Sequence, residues 1–431
     1  MIALEKNLEF EFATLRTDTS HLKAPLANQL AAFKDFGKNT QIVETNAKTF
    51  AGQNVQIPTF INEFWTSKQR AANSLHEVSY RACFKPQLPR FFIERLTEPG
   101  DLVYDPFLGR GTTLVEAALL GRVPSGCDIN PLSVAFVRPR LHPPEITQIV
   151  DRLHKINYSN FEEIPEDLLV FYHPETLKQI CALRNYLLER RATGRSDFID
   201  DWIRMVAINR LTGHSPGFFS VYTLPPNQAV SVKSQKKINE TRNQAPSEKS
   251  IIPIIAKKSR QLLSDCDAVV RRTIAGVSGQ AQLLTQHSGE IPQIASESIS
   301  LVVTSPPFLD VVDYAGDNWL RCWFIGIDPE SVKLTVPKKL DDWQGTMSDV
   351  FGELRRILRP GGHIAFEVGE VRGGRIRLEE AVVPCGMQAG LTPILILIND
   401  QKFTKTANCW GVDNNSKGTN TNRIVVFQKT L

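Results

Sequence analysis

The stretch Asp101-Leu102-Val103-Tyr104-Asp105-Pro106-Phe107-Leu108-Gly109-Arg110-Gly111-Thr112-Thr113 decides the fold. Its first five residues read as a short strand, which Pro106 ends. Thr112 to Leu120 then reads as a helix with its stop at Gly121, and Val123 to Ile129 as a second strand. Strand, glycine loop, helix and strand make a βαβ unit, which implies a parallel sheet in an α/β protein. Glycines at 109 and 111 permit the close approach and unusual dihedrals that a bound ligand needs. The helix amino end just beyond them favours a carboxylate or phosphate. A dinucleotide fingerprint would need glycine or alanine where this chain has Leu114, which weakens that reading. Asp128, at the end of the second strand, stands where an acid accepts hydrogen bonds from the ribose of an adenosine-type cofactor. A glycine turn with a structural aspartate fits the same residues.

A second loop lies far downstream. Thr304-Ser305-Pro306-Pro307-Phe308 follows the apolar run Ile299 to Val303, and two consecutive prolines cannot continue a β ladder. Ser305 offers a hydroxyl, the neighbouring carbonyls lack a ladder partner, and Phe308 offers a flat face. Such a loop can hold a planar ring that bears an amino group. An edge strand ending in a proline turn is the plainer alternative.

Between the two loops the pattern changes. Ile146, Ile149, Val150 and Leu153 lie at helical spacing, as do Leu177, Ile180, Leu183 and Leu187, so residues 141–275 are expected to be a mainly helical insertion. Within it, Lys233, Lys236, Lys237, Arg242, Lys249, Lys257, Lys258 and Arg260 are opposed only by Glu240 and Glu248 between 231 and 260. A charge run of this kind is often only a solvated face. Strands return from 280, with a helix over Met347 to Leu358 that stops at Pro360-Gly361-Gly362 and later strands at His363–Val368, Pro393–Ile398 and Arg423–Gln428. Residues 1–70 are mixed and polar and read as a peripheral extension. The remainder divides into 71–140, the helical insertion 141–275, and 276–431.

Composition excludes several classes. With 431 residues, 42% hydrophobic and 22% charged, the chain has the make-up of a globular protein of more than one structural unit. Its net charge of +4 is too small to bind nucleic acid globally, so any such contact must be local. Seven cysteines without a C-x-x-C pair argue against a zinc ribbon or disulfide framework, so no metal is expected. Reduced thiols, no leader-like amino terminus and no membrane-length apolar run lead to the expectation of a cytoplasmic protein without a membrane partner.

Asp105 to Thr113 resembles the D-P-F-x-G-x-G-T-T cofactor motif of the S-adenosylmethionine-dependent DNA amino-methyltransferases. Thr304 to Phe308 resembles the family's [ST]-S-P-P-[YF] catalytic motif, in the variant associated with cytosine N4. Phe84 to Ile93 is similar to the segment that precedes the glycine loop in that family, and Asn422 to Phe427 to its closing hairpin strand. The resemblance spans roughly 75–140 and 280–431. It implies a Rossmann-like methyltransferase fold, a mostly parallel seven-stranded sheet with an antiparallel hairpin strand, and S-adenosylmethionine as cofactor.

The resemblance also implies roles. Phe107, Gly109, Gly111 and Thr112 would line the methionine end of the cofactor, Asp128 would bind its ribose, and Ile129 would lie beside its adenine. Asp105 and Thr304 would border the pocket. Ser305, Pro306, Pro307 and Phe308 would receive a base flipped from double-stranded DNA, cytosine being favoured over adenine by the serine. Lys233, Lys236, Lys237 and Arg242 would meet phosphates, the segment Gly217 to Tyr222 would approach bases, and Asp313 and Tyr314 would stand behind the flipped base. A site-specific enzyme of a restriction-modification system follows, with a cognate endonuclease as a possible partner. An adenine-N6 enzyme, an RNA amino-methyltransferase and an inactive nucleic-acid-binding protein stay open.

Overall fold

Residues 24–65, 72–80, 83–159, 163–224, 229–307, 314–332, 337, 339–371, 376–400 and 421–430 are described by a computed structural model. The chain opens with helix α1 (Leu26–Ala31) and a hairpin, β1 (Gln41–Lys48) and β2 (Asn54–Asn62). Helix α2 (Gln87–Leu96) leads to β3 (Leu102–Asp105), α3 (Thr112–Leu119), β4 (Val123–Asp128) and α4 (Pro131–Arg140). Six helices follow: α5 (Ile146–His154), α6 (Pro174–Ala192), α7 (Phe198–Ile208), α8 (Val232–Arg242), α9 (Ile251–Leu262) and α10 (Ala268–Ser278). Strands β5 (Gln282–Thr285) and β6 (Ile299–Thr304) then precede α11 (Tyr314–Ile325), α12 (Leu340–Ile357) and β7 (Leu358–Val368). The two-residue strands β8 (Glu370–Val371) and β9 (Ile376–Arg377), then α13 (Leu378–Gln388), β10 (Thr392–Asp400) and β11 (Thr421–Gln428), complete the order.

The main sheet runs β1-β2-β10-β11-β7-β6-β3-β4-β5. Strands β5, β4, β3, β6 and β7 are parallel neighbours, while β11 lies antiparallel to both β7 and β10. The expected seven-stranded sheet with its antiparallel hairpin strand is therefore present, and β1 and β2 widen it to nine. Residues 41–62, which read as part of a peripheral extension, lie at the sheet's edge because β2 pairs with β10 in parallel from Thr59 to Asn62. From β3 the chain winds outward through β4 to β5 and then returns to β6 on the other side of β3. The crevice between β3 and β6 is thus the topological switch point, where open α/β sheets place their ligands.

Local chemistry explains these elements. All six residues of β6 are buried, as a strand covered on both faces requires. One sheet face packs on α12 and α13 through Trp343, Phe351, Phe366 and Phe427. The other packs on α1, α2 and the start of the chain through Leu30, Phe33, Phe64, Phe91 and Phe92. A third core joins α3 and α4 to the helical insertion. There Arg152 and Arg190 both bind Asp200, tying α5, α6 and α7 together.

Pro360-Gly361-Gly362 is not the loop between helix and strand that the sequence suggests. The helix ends at Ile357, and the glycines form an irregularity within β7: Ile299 pairs with Leu358 but Leu301 with His363. Hydrogen bonds between Gly361 and Lys429, and between Lys429 and Gly362, hold that excursion against the chain's end.

Candidate active site

The two motif loops leave adjacent parallel strands. Val103 and Tyr104 of β3 pair with Leu301 and Val302 of β6, so Asp105 and Thr304 emerge side by side. The Thr304 hydroxyl donates to the Asp105 carboxylate at 2.6 Å, and the Thr113 hydroxyl donates to the Val303 carbonyl at 3.0 Å. Asp105 also accepts the Phe107 amide at 3.0 Å and is only 1% exposed. Burial raises its pKa to about 7, against the hydrogen bonds from Thr304, Phe107 and Thr113. The junction of the two motif loops therefore rests on an acid whose pKa lies near neutrality.

The glycine loop closes on Asp128. This half-buried carboxylate accepts from the Gly109 amide at 2.8 Å, the Asn130 amide at 2.8 Å and the Ser133 hydroxyl at 2.7 Å. Burial pushes its pKa up, and those bonds oppose the push. Phe107, Gly109 and Ile129 are half-buried at the loop surface, and Thr112 is buried at the first turn of α3. No side chain caps α3, whose N-cap is Gly111. Ser288, at the end of the segment after β5, donates to the Pro106 carbonyl and braces the loop from below.

Both glycines adopt left-handed conformations, as expected, but for different reasons. Gly111, at φ 76°, sits so close to α4 that an added Cβ would lie 2.1 Å from Val137 Cγ2. Its missing side chain serves packing against α4. An added Cβ on Gly109, at φ 50°, would meet the Cys83 sulfur at 3.7 Å and the Phe107 carbonyl at 3.9 Å, both ordinary contacts. Gly111→Ala is accordingly expected to destabilise the fold by about 3 kcal/mol, from overpacking and backbone strain together. Gly109→Ala should cost about 1 kcal/mol. Urea unfolding of the two variants checks that order, and equal losses would contradict the packing role.

Arg110 turns inward. Its guanidinium donates to the carbonyls of Val78 at 3.2 Å and Phe84 at 3.2 Å and to the Thr112 hydroxyl at 3.1 Å, so it straps the preceding segment over the loop. The buried Arg140 of α4 in turn donates to the Arg110 carbonyl.

At the loop after β6, the Ser305 hydroxyl is within hydrogen-bonding reach of Glu367 on β7, an acid that the sequence reading did not single out. Burial raises the Glu367 pKa, with Ser305 and Asn422 opposing the rise. Asn422 Nδ2 donates to Glu367 at 2.9 Å. The Trp343 indole of α12 donates to the Pro307 carbonyl at 3.0 Å and fixes the second proline. Among the described residues none donates to the Pro306 carbonyl. Phe308, Asp313 and the side chain of Tyr314 lie outside the described residues. His287, exposed and accepting the Gly289 amide at 3.1 Å, stays out of the site.

The basic segment is sorted by the fold. Lys233, Lys236, Lys237 and Arg242 are exposed on or beside α8. Lys249 instead donates to the Phe218 and Ser220 carbonyls, and Lys258 is buried, with its pKa lowered to about 8 by desolvation. Phe218 and Phe219 are buried as well, so of the Gly217 to Tyr222 segment the aromatic turned toward the surface is Tyr222. No group of metal-ligating side chains occurs among the described residues, and no helix among them is long and apolar enough to cross a membrane.

Residues 27–136 match the family model for DNA methylases of the N6/N4 type. Type II methyltransferase M.BsoBI of Geobacillus stearothermophilus is 22% identical over 315 residues, 64% of this chain and 58% of that protein. M.MvaI of Kocuria varians is 33% identical over 102 residues, 23% of this chain and 21% of that one. M.MjaII of Methanocaldococcus jannaschii is 32% identical over 94 residues, 21% and 18% of the two chains. The chain thus spans less than two thirds of the length of these relatives. Among solved structures, TrmN from Thermus thermophilus aligns at a TM-score of 0.32 and 11% identity, over 83% of this chain and 51% of its own. Geranyl diphosphate C-methyltransferase from Streptomyces coelicolor A3(2) aligns at 0.32 and 8%, over 79% and 78%.

Proposed function

We propose that the protein methylates the exocyclic amino group of a base flipped out of duplex DNA, that the base is cytosine with N4 as the acceptor, and that it serves a restriction-modification system. The match of residues 27–136 to a DNA methylase family model supports the DNA reading. The single observation that carries the site is the Thr304–Asp105 hydrogen bond, 2.6 Å, which joins the cofactor motif to the catalytic motif.

The loop suits S-adenosylmethionine. The uncapped start of α3 offers amide donors to its carboxylate, beside Phe107, Gly109, Gly111 and Thr112. Asp105 and Asp128 place two acids near a ligand with positive amino and sulfonium groups. Three hydrogen bonds occupy Asp128, which leaves about one of its roughly four acceptor positions for a ribose hydroxyl. Ile129, half-buried next to Asp128, is the residue this reading sets beside the adenine. When bound, the cofactor supplies an electrophilic methyl group on sulfur, transferred in line to the amine with the carbon–sulfur electron pair returning to sulfur.

An exocyclic amine is a weak nucleophile because its lone pair is delocalised into the ring. Ser305 Oγ and the Pro306 carbonyl accept its two N–H bonds and hold the nitrogen in a reactive pose, so positioning supplies much of the rate. As the N–C bond forms, one amine proton passes to Ser305 Oγ while the serine proton moves to Glu367, whose raised pKa suits it as the acceptor. Phe308 stacks on the base. Serine, in place of the acidic or asparagine residue of adenine enzymes, favours cytosine.

Transfer of labelled methyl to duplex DNA and to transfer RNA tests this function. Label in DNA is expected, and label in RNA alone would overturn it.

A further inference from the structure

A cavity of about 270 Å³ opens on the helical insertion, lined by Tyr222, Leu224, Lys237, Ile238, Thr241 and Arg242. Its parts are pinned in place. The Tyr222 carbonyl accepts from Gln235 Nε2 and Gln244 Nε2, each at 3.0 Å, and Gln235 is fully buried. Asn239, one turn further along α8, donates to the Val170 carbonyl at 2.8 Å. The inner face of α8 is thereby fixed, and Lys237, Thr241 and Arg242 are left on the outer side. There the Arg242 guanidinium lies 3.8 Å over the Tyr222 ring, while Leu224 is 38% exposed, unusual for a large apolar side chain here.

The lining combines one aromatic ring, two aliphatic side chains and two cations, and none of the six residues is acidic. A ligand with a flat ring and a negative group satisfies all of these at once. The volume is near the lower end of ordinary ligand sites, roughly 300 Å³, so one small unit fills it. The segment that leads into α8 is also tied to α11. Just before α8, the Ala229 amide donates to the Asp317 carbonyl at 2.8 Å, and Trp319 Nε1 of α11 donates to the Val230 carbonyl at 3.3 Å.

We propose that this cavity takes one nucleotide of the recognised DNA strand, its base against Tyr222, Leu224 and Ile238 and its phosphate on Lys237 and Arg242. It is a specificity-determining pocket, distinct from the site that holds the flipped base. The proposal rests on the DNA reading above.

The test incubates the full-length protein with a pool of duplexes of randomised centre, sequences the bound fraction, and repeats the binding at several salt concentrations. Tyr222→Leu is expected to weaken binding about tenfold and to erase preference at one position, with an unchanged salt slope. Lys237→Gln should lower the salt slope by about one and leave the preference intact. Melting temperature and S-adenosylmethionine affinity should match the unmodified protein in both variants. Unchanged DNA affinity and preference in both would overturn the pocket alone and leave the DNA reading standing. Failure of the unmodified protein to bind any duplex would overturn both.

Discussion

Ser305→Ala is expected to slow methyl transfer by about 10²- to 10³-fold while S-adenosylmethionine binding stays within about twofold of the unmodified protein. The serine stands just past Thr304, at the end of a fully buried strand, with Glu367 behind it. In the proposed mechanism, removing its hydroxyl takes away one amine acceptor and the route to the carboxylate, and it leaves the glycine loop untouched. Glu367→Gln should give a loss of similar size through the same route. The raised Glu367 pKa also fixes the direction of the pH dependence. Protonated Glu367 cannot accept, so the rate of the unmodified protein should fall as pH drops through that value, and the Gln variant should lose this acid limb. Single-turnover rates across pH measure both effects. Full activity in Ser305→Ala would remove the serine from the chemistry.

Asp128→Ala is expected to weaken S-adenosylmethionine binding by about 10- to 100-fold, the scale of losing hydrogen bonds to a charged acceptor. It should also lower the melting temperature of the protein without cofactor. The second effect separates two roles. A carboxylate that only met the ribose would leave the cofactor-free protein as stable as before. The structure instead has Asp128 holding the Gly109 and Asn130 amides and the Ser133 hydroxyl, so loop and α4 should loosen together. Calorimetric titration with the cofactor and thermal unfolding without it measure the two losses, and an unshifted melting temperature would contradict the bracing role.

Much of this was legible because each motif is local. The β3 loop, α3 and β4 are announced by proline, glycine and an apolar strand within a short span, and β6 by an unbroken apolar run into two prolines. Their meeting follows from topology, since ligands of such sheets gather at the carboxyl ends of neighbouring strands. What the residues alone left undecided depends on distant partners. Arg110 turns inward because the carbonyls of Val78 and Phe84 receive it, and nothing beside Arg110 in the sequence announces them. The β1–β2 hairpin joins the sheet through β10, more than 300 positions later, and carries no local sign of that pairing. Phe218 and Phe219 pack inward while Tyr222 faces the surface, a choice set by the fold around Gly213, whose missing Cβ makes room for the Phe218 ring. Glu367 did carry a signal. An acid between Phe366 and Val368, inside a buried strand, is costly unless something uses it.

The most direct measurement is the modified-base content of DNA from a methylation-free host expressing the protein, read base by base. The site described here predicts N4-methylcytosine at one recurring sequence, lost in the Ser305→Ala strain. N6-methyladenine would contradict the assigned base, and methylation at cytosine C5, or none in the host's DNA, would contradict amino-group transfer itself.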